Sequence, residues 1–244
     1  MEPIGLVLLL LLLPALLFLV FRVREGKAGE LRRLPAMEEL PRSVGDSAET
    51  NDPIHVSVGV AGVGGAATAE TWAGLALLSE LADQAAASDA PLIVTVGDPT
   101  VLPLAQDILR RAYARRGRLN GYDSTQVRFI APVPLAYAAG VTGLLQRQPL
   151  RGNVMIGAFG DEYLLMGEAG ARVGMPQIVG AADPRTLPFV YATADEPLIG
   201  EEMFALSSYA GRKPIQVASL LAEDWARWAV VAGIIVVAIL KILT

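Results

Sequence analysis

A glycine-rich turn is the first feature of this sequence that could bind a ligand. Gly62, Gly64 and Ala67 match the G-x-G-x-x-A form of the dinucleotide-binding motif, directly after the β-branched run HVSVGV and at the start of a helical pattern. Glycines in such a turn let phosphate oxygens reach backbone N–H groups at the helix N-terminus, where the helix dipole favours anions. Gly62, Gly64, Gly65 and Asp98, the acidic residue after the next strand, are therefore a candidate cofactor-binding site. The sequence does not identify the cofactor.

A purely structural role for the same turn is the alternative. Asp98 comes later in the chain than the spacing of about twenty residues that the motif normally shows. Glycine is also frequent in this chain, at 24 of 244 residues, so that chance matches are easy. Both facts favour a tight turn that only packs a strand against a helix. No G-x-x-x-x-G-K-[ST] occurs, which excludes a P-loop of that form.

Carboxylates recur at the ends of predicted strands, in Asp98, Asp161, Asp183 and Asp195. In a parallel sheet all four positions would lie at the carboxyl edge, where ligand sites form. Carboxylate oxygens suit Mg²⁺ or Ca²⁺, so these residues are a candidate metal site. The alternative is helix capping, because Asp before Pro is typical of an N-cap followed by proline at the first helical position, which contributes about 1 kcal/mol.

The side chains that most enzymes use for nucleophilic or metal chemistry are scarce. The chain has one histidine, His55, and no cysteine, which excludes a Cys–His pair and a zinc site of the usual kind. The hydrolase motif G-x-S-x-G is also missing. We predict no catalytic residue, we expect His55 to be structural, and the sequence favours a protein that is not an enzyme.

Alternating strand and helix patterns predict the fold that must position these residues. Apolar or β-branched runs predict six strands, and helical spacing predicts helices between them. This alternation favours an α/β domain with a Rossmann-like, mostly parallel sheet and helices on both faces. The predicted strands are residues 55–60, 92–96, 127–130, 154–159, 177–180 and 189–193, and the predicted helices are residues 68–87, 100–116, 134–145, 161–171 and 198–210.

Both ends of the chain are strongly apolar. Residues 4–21 form a run without charge, long enough as a helix to nearly span a bilayer core of about 30 Å. An acidic start and the lack of small residues after the run favour a retained transmembrane anchor over a cleaved signal peptide. Residues 228–244 predict a second transmembrane helix, preceded by an interfacial helix over residues 216–227. Arg22, Arg24, Trp225 and Trp228 would lie at the membrane interface.

Basic residues concentrate on the inner flanks of the two predicted spans, which by the positive-inside rule places the central domain in the cytoplasm of a two-span protein of the cell membrane. Residues 22–52 read as a juxtamembrane linker with one helical stretch around residues 37–40, and residues 53–215 as the cytosolic domain. The net charge of −5 argues against a nucleic-acid partner.

A cluster of arginines closes the second predicted helix, and it has two explanations. Cations suit a helix C-terminus through the macrodipole, which is the interpretation that we prefer. Contact with anionic lipid headgroups is the alternative. The cluster consists of Arg110, Arg111, Arg115, Arg116 and Arg118.

Three stretches together resemble an uncharacterised bacterial membrane-protein family. They are HVSVGVAGVGGAATAETWAGLALLSELA, PLIVTVGDPTVLPLAQDILRRAYARRG and PIQVASLLAEDWARW before the terminal span. The family is known only as a domain of unknown function, of a type associated with Chloroflexota. The resemblance covers most of the chain from His55 onward and implies two membrane spans with a cytosolic Rossmann-like domain. It carries no activity and no catalytic residue.

The sequence leaves three function classes. The leading one is a non-catalytic, membrane-anchored structural or assembly protein that associates with copies of itself, because two anchors and Ala- and Gly-rich surfaces accompany a lack of catalytic residues. The second is a nucleotide-binding regulatory or enzymatic domain that uses the glycine-rich turn. The third is a subunit of a transporter or secretion complex. The expected partners are the lipid bilayer, further copies of the chain or other membrane-protein subunits.

Overall fold

The computed structural model describes residues 34–211, together with Phe21, Arg227, Trp228 and Val231. The chain divides into two units, residues 33–210 and the two ends, 1–32 with 211–244, and the fold below concerns the first. None of the described helices is both long and apolar enough to cross a bilayer. The predicted spans fall outside the described residues except for three positions, as do Arg22, Arg24 and Trp225. Trp228 is helical and 74% exposed.

Six strands form one sheet in which every neighbouring pair is parallel. Their order across the sheet is β3-β2-β1-β4-β5-β6, so the chain builds outward from β1 in one direction and then from β4 in the other. This is the doubly wound order of the Rossmann fold, and it confirms the predicted α/β class. The strands are β1 (Ile54–Gly59), β2 (Leu92–Val96), β3 (Val127–Phe129), β4 (Gly152–Ala158), β5 (Gln177–Ala181) and β6 (Glu196–Ile199).

Helices cover both faces of the sheet, because successive strand residues point to opposite sides and both sides are apolar. On the first face, α1, α2, α3 and α7 pack with Val56, Val94 and Ile156 of the strands. On the second face, α4, α5 and α6 pack with Met155 and Val179. The helices are α1 (Ala36–Thr50), α2 (Thr68–Ser88), α3 (Leu102–Arg115), α4 (Pro134–Arg147), α5 (Tyr163–Arg172), α6 (Leu187–Thr193) and α7 (Glu201–Gly211).

The predicted juxtamembrane linker differs most from the observed fold. Within residues 22–52, the segment Ala36–Thr50 is a full helix whose residues Leu40 and Val44 are buried in the first core. Pro41 and Gly45 inside this segment argue against a helix at the level of propensity, and burial of one apolar face outweighs them. The compact domain therefore begins about twenty residues earlier than the predicted boundary at residue 53.

The last predicted strand is wrong. Residues 189–193 belong to helix α6, and the sixth strand is Glu196–Ile199. The β-branched and aromatic run in LPFVYAT resembles a strand, and a short apolar run does not distinguish the two structures by its periodicity. Pro188 lies in the first turn, where its fixed φ suits a helix. The final helix accordingly begins at Glu201 rather than at residue 198.

Candidate functional site

The glycine-rich turn lies at the point where the direction of chain winding reverses. β1 and β4 are neighbours at the centre of the sheet, and the helices that follow them, α2 and α5, pack on opposite faces. The segments that leave the carboxyl ends of these two strands therefore diverge. In open α/β sheets this divergence forms the crevice in which ligands bind.

The structure requires glycine at two of the three glycine positions of the predicted site, for different reasons. A Cβ atom on Gly62 would lie 2.5 Å from Cγ of Asp98, so only glycine lets that carboxylate approach the turn. Gly64 has a φ of +104°, a conformation that side chains rarely adopt. Gly65 has neither constraint, since its φ is not positive and nothing lies within 4 Å of its Cβ position. The backbone of Gly65 is thus exposed at the surface of the turn.

Asp98 does lie beside the turn, and this removes the objection raised by its spacing. It stands two residues after Val96, the last residue of β2, and the long helix α2 accounts for the extra residues between turn and acid. Its Oδ1 accepts hydrogen bonds from the backbone N–H of Thr100 at 2.8 Å and from the Thr100 hydroxyl. The Thr100 hydroxyl oxygen in turn accepts from the N–H of Val63 at 3.3 Å. The structure thus brings Gly62 and Asp98 together.

The start of α2 presents unused backbone donors. The N–H groups of Gly65, Ala66 and Ala67 donate to no acceptor within the described part of the chain. The hydroxyl groups of two threonines in α2 contact carbonyl oxygens of the turn. The hydroxyl of Thr68 donates to the carbonyl of Gly65 at 2.7 Å, and the buried hydroxyl of Thr71 lies within 3.1–3.3 Å of three carbonyl oxygens of the turn. The side chains of two threonines therefore hold the turn, while three of its N–H groups have no acceptor among the described residues.

The four carboxylates of the candidate metal site are not brought together. Asp98, Asp161 and Asp183 follow β2, β4 and β5 at the carboxyl edge, whereas Asp195 precedes β6 and lies at the opposite edge. There its Oδ2 accepts from the backbone N–H of Gln177 at 2.8 Å. Among the described residues no group of three or more metal-ligating side chains is close enough to hold an ion.

Asp98 and Asp183 do not act as helix N-caps in the predicted way. Helices α3 and α6 begin four residues after these aspartates, and the residues at their N-caps, Val101 and Thr186, make no side-chain cap. Each aspartate instead accepts from the backbone N–H two residues on, at 2.8 Å in Thr100 and 2.9 Å in Arg185. The similar segments DPTVLP and DPRTLP thus form similar turns after equivalent strands of the two halves.

Asp183 is neutralised by a neighbour, whereas Asp98 is not. Both carboxylate oxygens of Asp183 accept from the Arg185 guanidinium, at 3.2 Å and 2.7 Å. These hydrogen bonds, with the one from the Arg185 backbone, hold the pKa of Asp183 below its ordinary value. Within residues 34–211 no cation pairs with Asp98, and its second oxygen accepts no hydrogen bond there.

A buried chain of polar side chains crosses the second face of the sheet, and sequence reasoning missed most of it. Each of these residues lies in an apolar strand or in α4 and is almost inaccessible to solvent. The signal that would have revealed them is a polar residue on alternate positions of otherwise apolar strands. The residues are Ser57, Tyr137, Thr95, His55, Asn153 and Gln177.

The hydrogen bonds of Gln177 fix the direction of this hydrogen-bond chain. The Gln177 amide nitrogen donates to the backbone carbonyls of Gly167 and Thr193, so its oxygen faces Asn153 and accepts from that amide at 2.8 Å. The Asn153 oxygen therefore faces His55 at 2.7 Å, which requires the proton on Nδ1. The position of that proton also determines which groups donate in the rest of the hydrogen-bond chain, from Thr95 to Ser57.

With Nδ1 protonated and the ring neutral, Nε2 of His55 accepts from the Thr95 hydroxyl at 2.9 Å. Thr95 then accepts from Tyr137 at 2.8 Å, and Tyr137 from Ser57 at 2.6 Å. Burial is the main cause that lowers the pKa of His55 to about 4, and burial likewise raises the pKa of Tyr137 to about 12. Both groups are therefore neutral near pH 7 and serve the core, as expected for His55.

The arginine cluster pairs with acidic residues of the domain itself. Arg115 pairs with Asp83, and Arg118 pairs with Asp89 at 2.6 Å, which ties the end of α3 to α2. Arg110 and Arg111 both pair with Asp107 in their own helix. These exposed pairs account for most of the cluster within the fold.

A cavity of about 510 Å³ lies at the amino edge of the sheet, away from the glycine-rich turn. Gln177, Thr193 and three carboxylates, Glu39, Asp195 and Glu196, contribute to its lining. Partial burial, and then the charges of the other two carboxylates, raise the pKa of Glu196. The cavity is thus acidic and lacks the features of an anion site.

Comparison with known proteins identifies a family but no function. No curated protein and no solved structure matches this chain. One family model matches, described as a domain of unknown function, DUF6754, and it covers residues 3–244. Because the match extends over nearly the whole sequence, the chain belongs to the DUF6754 family.

Proposed function

We propose that this protein is a membrane-anchored structural or assembly protein without catalytic activity. Its α/β domain would associate with copies of itself or with other subunits of a membrane complex. The apolar segments 4–21 and 228–244 would anchor it as two membrane spans and leave the central domain in the cytoplasm. The residues proposed to contact the membrane interface are Arg22, Arg24, Trp225 and Trp228.

The contrast between the two helical layers carries this proposal. On the first face, α1, α2 and α3 each present between three and five charged residues. On the second face, α4, α5 and α6 together contain only Arg147, Glu168 and Arg172. Large apolar side chains are exposed on this second layer, with Leu135 at 63% and Tyr191 at 73%. A charge-poor layer with exposed apolar side chains is typical of a protein–protein contact surface.

Native purification from membranes tests the proposal. The full chain, extracted in a mild detergent, should migrate as a particle that contains several polypeptide chains. Mass determination of that particle would report whether these are identical copies or other subunits. A particle with one chain at every protein concentration would contradict the proposal.

Nucleotide binding is a second candidate, supported by the contact between Gly62 and Asp98 beside unused N–H groups. A ribose hydroxyl would donate to the free oxygen of Asp98, as in dinucleotide sites. Phosphate would bind at the N–H groups of Gly65, Ala66 and Ala67, because the Asp98 carboxylate repels anions at the other end of the turn.

Thermal unfolding with a panel of nucleotides tests this candidate. A ligand at a hundredfold excess over its Kd should raise the free energy of unfolding by about 2.7 kcal/mol. The substitution Asp98→Asn should reduce that gain. Asp123→Asn is the matched control, because Asp123 accepts from the N–H of Thr125 at 2.8 Å in the same kind of turn. An unchanged unfolding temperature with every nucleotide of the panel would contradict nucleotide binding.

A further inference from the structure

We propose that the cavity at the amino edge of the sheet binds a linear aliphatic amine that carries two or more ammonium groups. This inference goes beyond the proposed function, because it assigns a small-molecule site that a single chain forms. It rests on the size of the cavity, on the charge around it, on the arrangement of its carboxylates and on its apolar wall.

The cavity lies at the amino ends of two neighbouring strands. Gln177 and Glu196 are the first residues of β5 and β6, and Ile178 is the Cα partner of Glu196 in their parallel pairing. The cavity has a volume of about 510 Å³, and ligand sites in proteins measure about 300–1,000 Å³. The cavity is therefore large enough for a small molecule.

Three carboxylates give the cavity a negative charge. Glu39 contributes from α1, Glu196 from β6, and Asp195 from the position just before β6. Neither Asp195 nor Glu196 forms a salt bridge with another described residue, and Glu39 has an exposed contact of 3.7 Å with Arg42. No lysine or arginine occurs among the described residues that line the cavity. The lining therefore attracts cations and supplies none of its own.

Two helix ends add to this negative potential independently of the carboxylates. Helices α5 and α6 both end at the cavity, where Ala171 of α5 and Ala192 of α6 contribute to the lining. The C-terminal end of a helix carries a partial negative charge that favours cations. Arg172, the basic residue in the last turn of α5, pairs with Glu168 at 2.6 Å. Carboxylates and helix ends therefore both favour a cation in the cavity.

The arrangement of the carboxylates argues against a single metal ion. Within the part of the chain that the structure describes, no three metal-ligating side chains are close enough together to hold one. Burial, and then the charges of Glu39 and Asp195, raise the pKa of Glu196, so the three carboxylates face a common space. A cation that contacts all three must carry its charge at more than one point. An amine with several ammonium groups meets this requirement.

Apolar residues form much of the remaining lining, and they suit the methylene segments between ammonium groups. Met175 and Ile178 of this wall are almost inaccessible to solvent. An alkyl chain gains free energy when it leaves water for such a wall, whereas a hydrated inorganic cation does not. The wall therefore favours an organic cation. The apolar residues are Ala171, Met175, Pro176, Ile178, Ala192 and Ala194.

Calorimetric titration of the full chain in a non-ionic detergent tests the class of ligand. Spermidine should bind saturably, with one site per chain. Butylamine, which has a single ammonium group on a four-carbon chain, and Mg²⁺ should each bind more weakly by about 10-fold or more, because they lack the additional charged contacts. Equal binding of all three cations would indicate unspecific attraction to an acidic protein and would overturn the proposal, as would an absence of spermidine binding.

Removal of single charges tests the location of the site. Glu39→Gln and Glu196→Gln should each weaken spermidine binding by about 10-fold, because each removes a partner of an ammonium group. Both variants should remain folded, since each reduces repulsion among the carboxylates, and thermal unfolding without ligand checks this. Glu49→Gln is the matched control, because Glu49 is an exposed residue of the same helix as Glu39 and does not line the cavity. An equal loss in all three variants would assign binding to the net charge of the chain and would overturn the site.

A larger residue in the wall tests the space without a change of charge. Ala192→Leu should weaken spermidine binding by about 10-fold, because it occupies part of the cavity. Ala139→Leu is the matched control, since Ala139 is an exposed alanine of α4 that does not line the cavity. Unchanged binding in Ala192→Leu would overturn the site.

These outcomes are distinguishable from those that test the proposed function. A monomeric chain that binds spermidine in the expected pattern would contradict the assembly role and support the amine site. An assembled particle whose spermidine binding is insensitive to the cavity variants would overturn the amine site and leave the assembly role standing.

Discussion

At the scale of single residues, the buried hydrogen-bond chain under α4 depends on every one of its members. Each of its members is buried, and burial of a polar group costs free energy unless that group is hydrogen-bonded. These side chains are therefore tolerated only because every one has a partner. Removal of one member leaves its neighbour unsatisfied.

The substitution Tyr137→Phe should lower the free energy of unfolding by about 1–3 kcal/mol. The loss arises because the buried Ser57 hydroxyl then has no acceptor and Thr95 loses a donor. Tyr191→Phe is the control, since Tyr191 is 73% exposed. Thermal or urea unfolding of the purified chain measures both. Equal stability of the two variants would mean that the buried hydrogen-bond chain does not stabilise the fold.

Stability should fall as the pH drops from about 6.5 to about 4, because of His55. Its pKa is lowered from 6.5 to about 4 in the folded protein, so in this range the unfolded chain binds a proton that the folded one does not. The free energy of unfolding that His55 contributes relative to low pH is fully present above pH 6.5. It amounts to at most about 3 kcal/mol. Unfolding measured between pH 7 and pH 5 should show this slope.

A His55→Gln variant provides the comparison. His55 is the one histidine of the chain, so few other side chains titrate between pH 5 and 6.5. The variant is expected to be less stable at pH 7 but nearly independent of pH in that interval. The same slope in both proteins would assign the pH dependence to other groups.

At the scale of helices and strands, close approach between backbones decides where substitutions are tolerated. Helix α2 rests directly on β4, and a Cβ atom on Gly74 would lie 2.2 Å from the carbonyl oxygen of Ile156. In α1 the surroundings of Gly45 are open. Intrinsic helix propensity is the same for the two glycines, so the difference lies entirely in packing.

Gly74→Ala should destabilise the domain by about 1–3 kcal/mol, because the added methyl group forces α2 away from the sheet. Gly45→Ala should stabilise it by up to about 1 kcal/mol, since alanine favours the helix and meets no neighbour. Urea unfolding of the two variants side by side gives the sign of each change. A stabilising Gly74→Ala would contradict the tight contact between α2 and β4.

At the scale of the whole molecule, the proposed function assigns anchoring to the apolar ends of the chain and association to the charge-poor layer of α4, α5 and α6. The domain itself carries the elements of a complete doubly wound fold, with its core on both faces of one sheet. The proposed anchoring and the fold therefore involve different residues and can be tested separately.

The full chain should sediment with membranes and resist extraction with alkaline carbonate. Protease added to sealed right-side-out cells should leave residues 34–211 intact, because in the proposed orientation that region is in the cytoplasm. Immunoblotting against the domain measures both results. Digestion from outside the cell would contradict the predicted orientation. Release by carbonate would contradict the predicted membrane anchors.

The sequence alone determined the local structure, because hydrophobic periodicity and β-branched runs act within a few residues. The strand Leu92–Val96 lies at its predicted limits, and the predicted helix over residues 68–87 ends one residue short. Periodicity failed where local and distant interactions disagree. In α1, buried contacts of Leu40 outweigh Pro41, and in α6 a strand-like composition folds as a helix.

The tertiary structure decided which distant residues meet. The strand order placed Asp98 beside Gly62, sent Asp195 to the opposite edge, and joined His55 to Asn153 across 98 residues of sequence. These relations depend on the order and register of strands, which arise from packing of the whole core, and no short stretch of sequence contains that information.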